Sequence, residues 1–531
     1  MKKIISISLV LLMVTGLIGC IGKRETLDTS GGDKEIIYIS CFAGGFGTAW
    51  MEEVIEEYNK TSEDYLFKRV TDNKYSVEDI TDRVSTGVND AQIYFADSSD
   101  IDELIAGNYL INLNDVWEHE ENGKKLYDRV WDSELFQRAY SDKNDNLFAI
   151  PFTQGVCGVI YDHDLFTQLN LFLTDSSTAN GLSKGIDGVE GTYDDGLPTT
   201  MKEFDAMIQK LNRATVIPFI YSDLYANDML MPICDIVWGQ YDGKTNYTNT
   251  LLFEGKYTSP STGVETILTP SEGYKVYTEN LAEGRDKAIE FLDKYLINTG
   301  YICKGIDGFN HEDTEGKYIL SHNETPIAML FDGFWWENEA RDYFEIDTRN
   351  GEEFAYGKRD FRIMPIPAMD GHAAESEGKF YLPTNSNGSA FGIKTNDAKK
   401  DQAIKDFLLN FTKNATLATF SKHNSTILPY DYDMTEEQIS KMTKFGQNFY
   451  EVIHSENVEI IRPDLIYSLS PLYSSIDSPE RFNVTVNGTK YARFYGAIKD
   501  NGAEAVEKAL SKVYTPTTWA NMYNSVKDLY D

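Results

Sequence analysis

The chain has 531 residues, enough for two or three domains, and its 41% hydrophobic and 13% aromatic content can build a sizeable core. A formal net charge of −35 argues against a nucleic-acid footprint and against adsorption to anionic lipid, leaving neutral solutes and cations as the natural partners. Seven scattered histidines give no zinc pattern, and the chain holds no CxxC, P-loop, HExxH or Ser-His-Asp signature.

In chain order, Lys2 and Lys3 precede a run from Ile4 to Ile18 that is apolar except for Ser6, Ser8, Thr15 and Gly16. A short apolar stretch behind two lysines predicts a secretory signal over 1–19, too short for a comfortable spanning helix. The closing Leu17-Ile18-Gly19-Cys20 resembles the bacterial lipobox. That resemblance implies lipidation of Cys20 and an anchor at the extracytoplasmic face of the cell membrane; a plain signal with a chance cysteine is the other reading. Residues 20–35 are then the lipidated cysteine and a polar, aperiodic tether, which reaches at most ~50 Å when extended. Cys41, Cys157, Cys234 and Cys303 remain, widely spaced, as buried thiols or as disulfides.

Order begins with a predicted strand over 36–42. Gly44-Gly45-Phe46-Gly47 comes next, then a helix with Thr48 as N-cap and Trp50, Met51, Val54, Ile55 and Tyr58 on one face. Further strands are predicted over 65–70 and 92–96, with a helix at 101–106. This alternation implies a parallel sheet with crossover helices. Residues 147–162 read as two strand segments around Pro151, where the chain leaves one sheet and enters another. A long Gly/Asp/Ser/Thr loop spans 174–200. Helices are predicted at Phe204–Leu211 and 286–297, then strands at 326–331, 361–367 and 388–393, and helices around 404–411 and 506–513.

The chain resembles the extracellular solute-binding proteins of ABC importers, in the large sugar-binding group that includes maltose-binding protein. The resemblance rests on 36–59, ending Glu56-Glu57-Tyr58-Asn59; on 92–113; on 147–162; on 326–337 (PIAMLFDGFWWE); and on Met364-Pro365-Ile366-Pro367 with Gly388 to Ile393 after it. No one motif is specific, but five stand in the family's order. Asp162 departs from the family's usual asparagine, and 174–198 and 240–275 are extra. The resemblance implies an α/β, two-lobe periplasmic-binding-protein-like fold with a hinge and an interlobe ligand cleft. Lobe one is expected at 36–150 plus 325–385, and lobe two at 151–324 plus 386–531.

Open α/β sheets bind ligands beyond the carboxyl ends of their strands. Sugars present apolar C–H faces to aromatic rings and hydroxyls to carboxylates and amides. Candidate ligand residues are therefore Trp335 and Trp336 after the 326–331 strand, with Trp335 matching the family's stacking tryptophan. Trp336 has core packing as its alternative. Phe42, Gly45 and Phe46 come after the first strand, and Asp97 ends the third and matches the family's cleft loop. Thr153 and Gln154 lie at the hinge crossing. Trp238, Gln240 and Tyr241 suit a wall in lobe two, against ordinary core packing. Glu337 reads as a first-turn acid rather than a contact, and Trp50 as core. Asp187, Glu190, Asp194 and Asp195 in the loop GIDGVEGTYDDG offer hard oxygens for a structural Ca²⁺, with a solvated acidic loop as the alternative.

The function expected is a monomeric, non-enzymatic, lipid-anchored receptor. It captures a carbohydrate, an oligosaccharide above all, and delivers it to the permease subunits of an ABC transporter, with no required cofactor. The alternatives are a surface glycoside hydrolase, which needs two placed carboxylates, and a receptor for a peptide or other solute.

Overall fold

The computed structural model describes residues 34–70, 76–297, 299–475, 484–491 and 494–530. The expected signal segment and Cys20 lie outside the described residues. Among the described residues, no helix is long and apolar enough to cross a membrane.

Nine strands form the main sheet among the described residues: β1 (Glu35–Cys41), β2 (Tyr65–Arg69), β3 (Ile93–Ala96), β4 (Ile150–Asp162), β5 (Ile217–Ile220), β6 (Ile327–Gly333), β7 (Phe361–Met364), β8 (Phe380–Gly392) and β9 (Val458–Ile461). The spatial order is β2-β1-β3-β8-β4-β6-β5, with β7 also paired to β4 and β9 to β8. β1 runs parallel to β2 and β3, as the alternation of strand and helix predicts. The first crossover helix, Ala49–Asn59, buries Trp50, Met51, Val54 and Ile55. Thr48 occupies its N-cap, but the hydroxyl makes no cap bond. Trp50 lies in the core, with ring centroids 5.0 Å from Phe420 and 5.8 Å from Phe152.

Two strands depart from the sequence expectation. β4 is one continuous strand of 13 residues rather than two segments, and Pro151 is its second residue. Proline is tolerated near a strand's start, and here β8 shifts register between Asn387 and Ser389, the residue facing Pro151. Instead of a change of sheet, β4 changes partners along its length within the one sheet. Residues 150–156 pair with β8, whereas 157–162 pair with β6 and β7. β8 also has 13 residues, of which the sequence pattern reveals only the last third; Pro383, Thr384, Asn385, Ser386 and Asn387 read as loop.

Two hydrophobic cores result. One gathers Ile39, Trp50, Phe95, Phe152, Phe391 and Phe411. The other gathers Phe204, Phe219, Trp238, Phe291, Phe331 and Trp519. The two cores do not divide along the expected lobe spans: Ile327, Leu330, Phe334, Trp336 and Phe361 of the 325–385 span share the first core with 36–150, Met329 and Phe331 lie in the second, and part of the 386–531 span joins the first. β6 pairs with β5 and the second half of β4, not with the 36–150 region. The end of β8 pairs with β3, and helices Ala398–Phe411 and Asn414–Asn424 bring Phe407, Phe411 and Phe420 into the first core. The reason is that β8 inserts between β3 and β4, carrying the next two helices back to the first core. Cys41, Cys157, Cys234 and Cys303 are buried, with no disulfide among the described residues. Burial pushes the Cys41 thiol up to about 12.

Where β4 and β8 pass between the cores, buried Arg462 ties them together. Its Nε donates to Asp132 Oδ2 at 2.9 Å, Nη1 to Asn387 Oδ1 at 2.9 Å and Nη2 to Gln154 Oε1 at 3.1 Å. Its guanidinium lies 5.1 Å from the centroid of the Phe136 ring.

Candidate ligand cleft

The carboxyl ends of β1, β3, β5 and β6 converge beside the middle of β4 and β8. β1 and β3 end together, with the Phe42 N–H donating to Phe95 O at 2.8 Å. Beyond β3, the Ser389 hydroxyl of β8 donates to Ser98 O at 2.6 Å. A Cβ on Gly388 would lie 2.6 Å from Ala96 O, so the close approach of β8 to β3 requires glycine. On the other side of β4, Gly333 at the end of β6 pairs with Cys157.

The loops after β1 and β6 touch across this junction. A Cβ on Gly45 would collide with Trp335 Cδ1 and lie 2.8 Å from Glu339 Cγ. The Phe46 and Trp335 ring centroids are 5.9 Å apart, tilted at 57°. Phe42, Gly45 and Trp335 are half-buried, so the structure brings these predicted residues to one place with part of their surface open. Asp97 is also half-buried at the end of β3, where burial raises its carboxyl above the usual range. After β5, Tyr225 is 41% exposed and stands with its ring centroid 5.9 Å from that of His311.

Three acids in this region escaped the sequence reading. Asp332, the penultimate residue of β6, is 5% exposed. Its Oδ1 accepts from the Gly333 N–H at 2.7 Å, and its Oδ2 has no partner among the described residues. Glu315, on helix His311–Leu320, has no exposed surface, and neither oxygen accepts a hydrogen bond from an N–H or hydroxyl among the described residues. Its carboxyl meets that of half-buried Glu339. Burial, then the charge of Glu339, pushes Asp332 up to about 8. Burial, then Asp332 and Glu339, raises Glu315 well above the carboxylate range. A signal existed: Asp332 is the one charged residue in a seven-residue strand, and Glu339 lies one helical turn after Trp335.

The profile of the bacterial extracellular solute-binding proteins matches residues 53–444. The chain belongs to that family. No curated protein matches the sequence. Among solved structures, this solute-binding protein is similar to RafE from Streptococcus pneumoniae in its apo form, at 13% identity and TM-score 0.55, covering 92% of this chain and 98% of RafE. RafE has also been solved with raffinose. Similar too is the bacterial solute receptor AcbH, whose substrate preference is β-D-galactopyranose, at 12% identity and TM-score 0.54, covering 92% and 99%. A further S. pneumoniae solute-binding protein, in complex with the blood group A-trisaccharide, aligns at 11% identity and TM-score 0.50, covering 90% and 99%. These likenesses establish the two-lobe α/β fold of a solute-binding protein.

Several predicted contacts of the solute-binding protein lie elsewhere. Trp336 is fully buried, its ring 5.0 Å from Phe361 and 5.9 Å from Tyr318, because the turn after β6 sends one indole outward and the next inward. Gln154 is 2% exposed, and both ends of its amide are engaged: Nε2 donates to Ile427 O at 3.1 Å and Oε1 accepts from Arg462. Trp238 is buried, donating to Asp242 Oδ2 at 2.8 Å and packing on Tyr247. Gln240 is buried as well. Tyr241 lines a separate recess of about 650 Å³ with Tyr257, Ser259, Glu283 and Glu507. Glu337 points inward, where burial raises it to about 7.

The acidic loop folds on its own backbone. Asp194 is fully buried and accepts from the N–H groups of Ile186 at 2.6 Å and Asp187 at 3.1 Å; burial raises it to about 6. Asp195 Oδ2 accepts from the Gly191 N–H at 2.7 Å, Asp187 from the Val189 N–H at 2.7 Å, and Glu190 from the Ala179 N–H. Among the described residues, no three of these four carboxylates bring oxygens within 4.8 Å of one another, so the arrangement does not fit the expected Ca²⁺ cage. The grouping that does so is His163, Asp164 and Asp360, and there Asp360 already receives Arg362 at 2.9 Å.

Proposed function

We propose that this solute-binding protein captures a carbohydrate, most naturally an oligosaccharide, in the cleft between its lobes and passes it unaltered to the permease of an ABC transporter. Cys20 is its proposed lipid anchor at the extracytoplasmic face, and it works as a monomer. The observation that carries the reading is Trp335, half-open at the carboxyl end of β6, facing Gly45 and Phe46 of the loop after β1, with acids beside it. An aromatic face for C–H groups with carboxylates for hydroxyls is the pairing a sugar ring needs. Raffinose, galactopyranose and a trisaccharide are the ligands named for the similar structures.

A thermal-shift screen of the soluble part against mono- and oligosaccharides, with chromatography of the sugars afterwards, tests it. A saturable shift with intact sugar is expected. A flat panel with a shift from peptides overturns the carbohydrate assignment, and sugar fragments in the supernatant point to the hydrolase instead.

A further inference from the structure

β8 lies in the interior of the main sheet, and all its residues are buried except two neighbours, exposed Asn385 and half-buried Ser386. Thr384 pairs with Val156 and Asn387 with Gln154, so Asn385 and Ser386 together stand opposite the single residue Gly155. Such a bulge interrupts the ladder and re-aims the side chains within it. A Cβ on Gly155 would collide with Ser386 Oγ and lie 2.5 Å from Asn385 Oδ1. Glycine therefore leaves the backbone of β4 bare, and an amide and a hydroxyl lie over it. Among the described residues neither side chain has a hydrogen-bond partner, whereas Thr384 and Asn387 on either side are both engaged by Asp464.

Side chains alternate along a strand, so Gly155 and Cys157 share one face of β4 and Gln154 and Val156 the other. Gln154 is spent on Arg462. On the Gly155 face, Cys157 pairs with Gly333 of β6, and directly opposed residues point to the same side. A Cβ on Gly333 would run into the six-membered ring of Trp335. The half-open indole and the Asn385–Ser386 pair therefore rise from one face of the sheet, two residues or about 7 Å apart along β4. That spacing lets a single ligand ring touch both.

We infer that Asn385 and Ser386 form the floor of the ligand cleft and read the hydroxyl pattern of a neutral sugar ring seated against Trp335. The inference rests on the capture reading above and deepens it. A carboxamide carries two N–H donors and a carbonyl acceptor, so it gives to one hydroxyl of a vicinal pair and accepts from the next. The serine hydroxyl adds a further donor and acceptor. Both groups are uncharged, so covering them with ligand costs less desolvation than covering a carboxylate. Tyr381 of β8 belongs to the second core and Phe391 to the first, which places the contact where the two cores meet rather than on either wall.

Calorimetric titration of the protein with raffinose, galactose, mannobiose, xylobiose and chitobiose, repeated on Asn385→Ala, Ser386→Ala and Asn385→Asp, decides it. The sugars that bind the wild type are expected to bind Asn385→Ala about tenfold more weakly and Ser386→Ala about threefold more weakly, as one or two hydrogen bonds are lost. Thermal midpoints are expected to stay at the wild-type value, because neither side chain has a protein partner to lose. Asn385→Asp keeps the shape and exchanges the N–H donors for an acceptor. It is expected to alter the order of preference within the panel, a readout that loosened packing would not give. Unchanged affinity and order in all three variants overturn the floor assignment and leave carbohydrate capture standing. Binding that falls only in step with the thermal midpoint assigns the pair to the fold and overturns the floor assignment as well. Silence of the wild type toward every sugar overturns both readings.

Discussion

Arg462→Met removes the guanidinium that joins β4 to β8 while keeping an unbranched side chain of similar reach. Three acceptors lose a donor: Asp132 Oδ2, Asn387 Oδ1 and Gln154 Oε1. Breaking a buried ion pair by deleting one partner costs about 3–5 kcal/mol. Lys244 still donates to Asp132 at 2.7 Å, which lowers that figure. Each orphaned amide oxygen adds about 1 kcal/mol or more. The expected loss is therefore about 3–5 kcal/mol in all, read as a drop in the urea midpoint monitored by tryptophan fluorescence. Burial works against the Asp132 carboxyl, yet Arg462 and then Lys244 hold it below its usual range. Its contribution is thus present above the unfolded carboxyl value of about 4 and fades as pH falls further. The wild type should lose stability on acidification below that point, and the variant should lose less. A change under about 1 kcal/mol at pH 7, well short of a broken buried pair, would refute the view of Arg462 as the clamp between the strands.

The remaining expectations concern the cleft and the acidic loop. Trp335→Ala should weaken carbohydrate binding about tenfold or more while leaving the melting temperature nearly unchanged, since stacked aromatic contacts are worth roughly 1 kcal/mol beyond their buried area. Trp336→Ala should instead cost about 3–5 kcal/mol of stability, as expected for a large ring removed from a core; a variant with wild-type urea midpoint would contradict its placement. Asp332 has a folded value of about 8, above its unfolded one, so unliganded protein should lose stability as pH rises from about 4 to about 8, and Asp332→Asn should flatten that slope. Ca²⁺ added to chelator-treated protein should leave the melting temperature where it is, because the carboxylates of residues 187–195 already accept from backbone N–H groups; a saturable rise would overturn that reading.

Most of the scaffold could be read from periodicity. The strand at 35–41, the helix with Trp50 and Val54 inward, and the strand at 327–333 announce themselves through apolar spacing. Polar structure was where the pattern failed. In β8, Thr384 and Asn387 are buried because their side chains are engaged by Asp464 and Arg462, while Asn385 between them is exposed. A local pattern cannot see partners that lie some eighty positions away. The same limit misassigned Gln154, whose amide faces Arg462 rather than ligand. Trp335 and Trp336 are adjacent letters with opposite fates, decided by a turn. The acids of the cleft were hidden by abundance: among 84 Asp and Glu residues, Glu315 gains meaning only when burial is known.

The position of β8 between β3 and β4 has a consequence for biogenesis. Everything up to residue 379 can be synthesised while β3 still lacks its neighbour on that side. Both β3 and β4 then present bare edges of the kind that recruit foreign strands. The N-terminal sheet is thus not an early, self-sufficient folding unit, and its completion is a late, long-range event. A chain stopped before residue 380 should be an aggregation-prone client of chaperones rather than a smaller receptor.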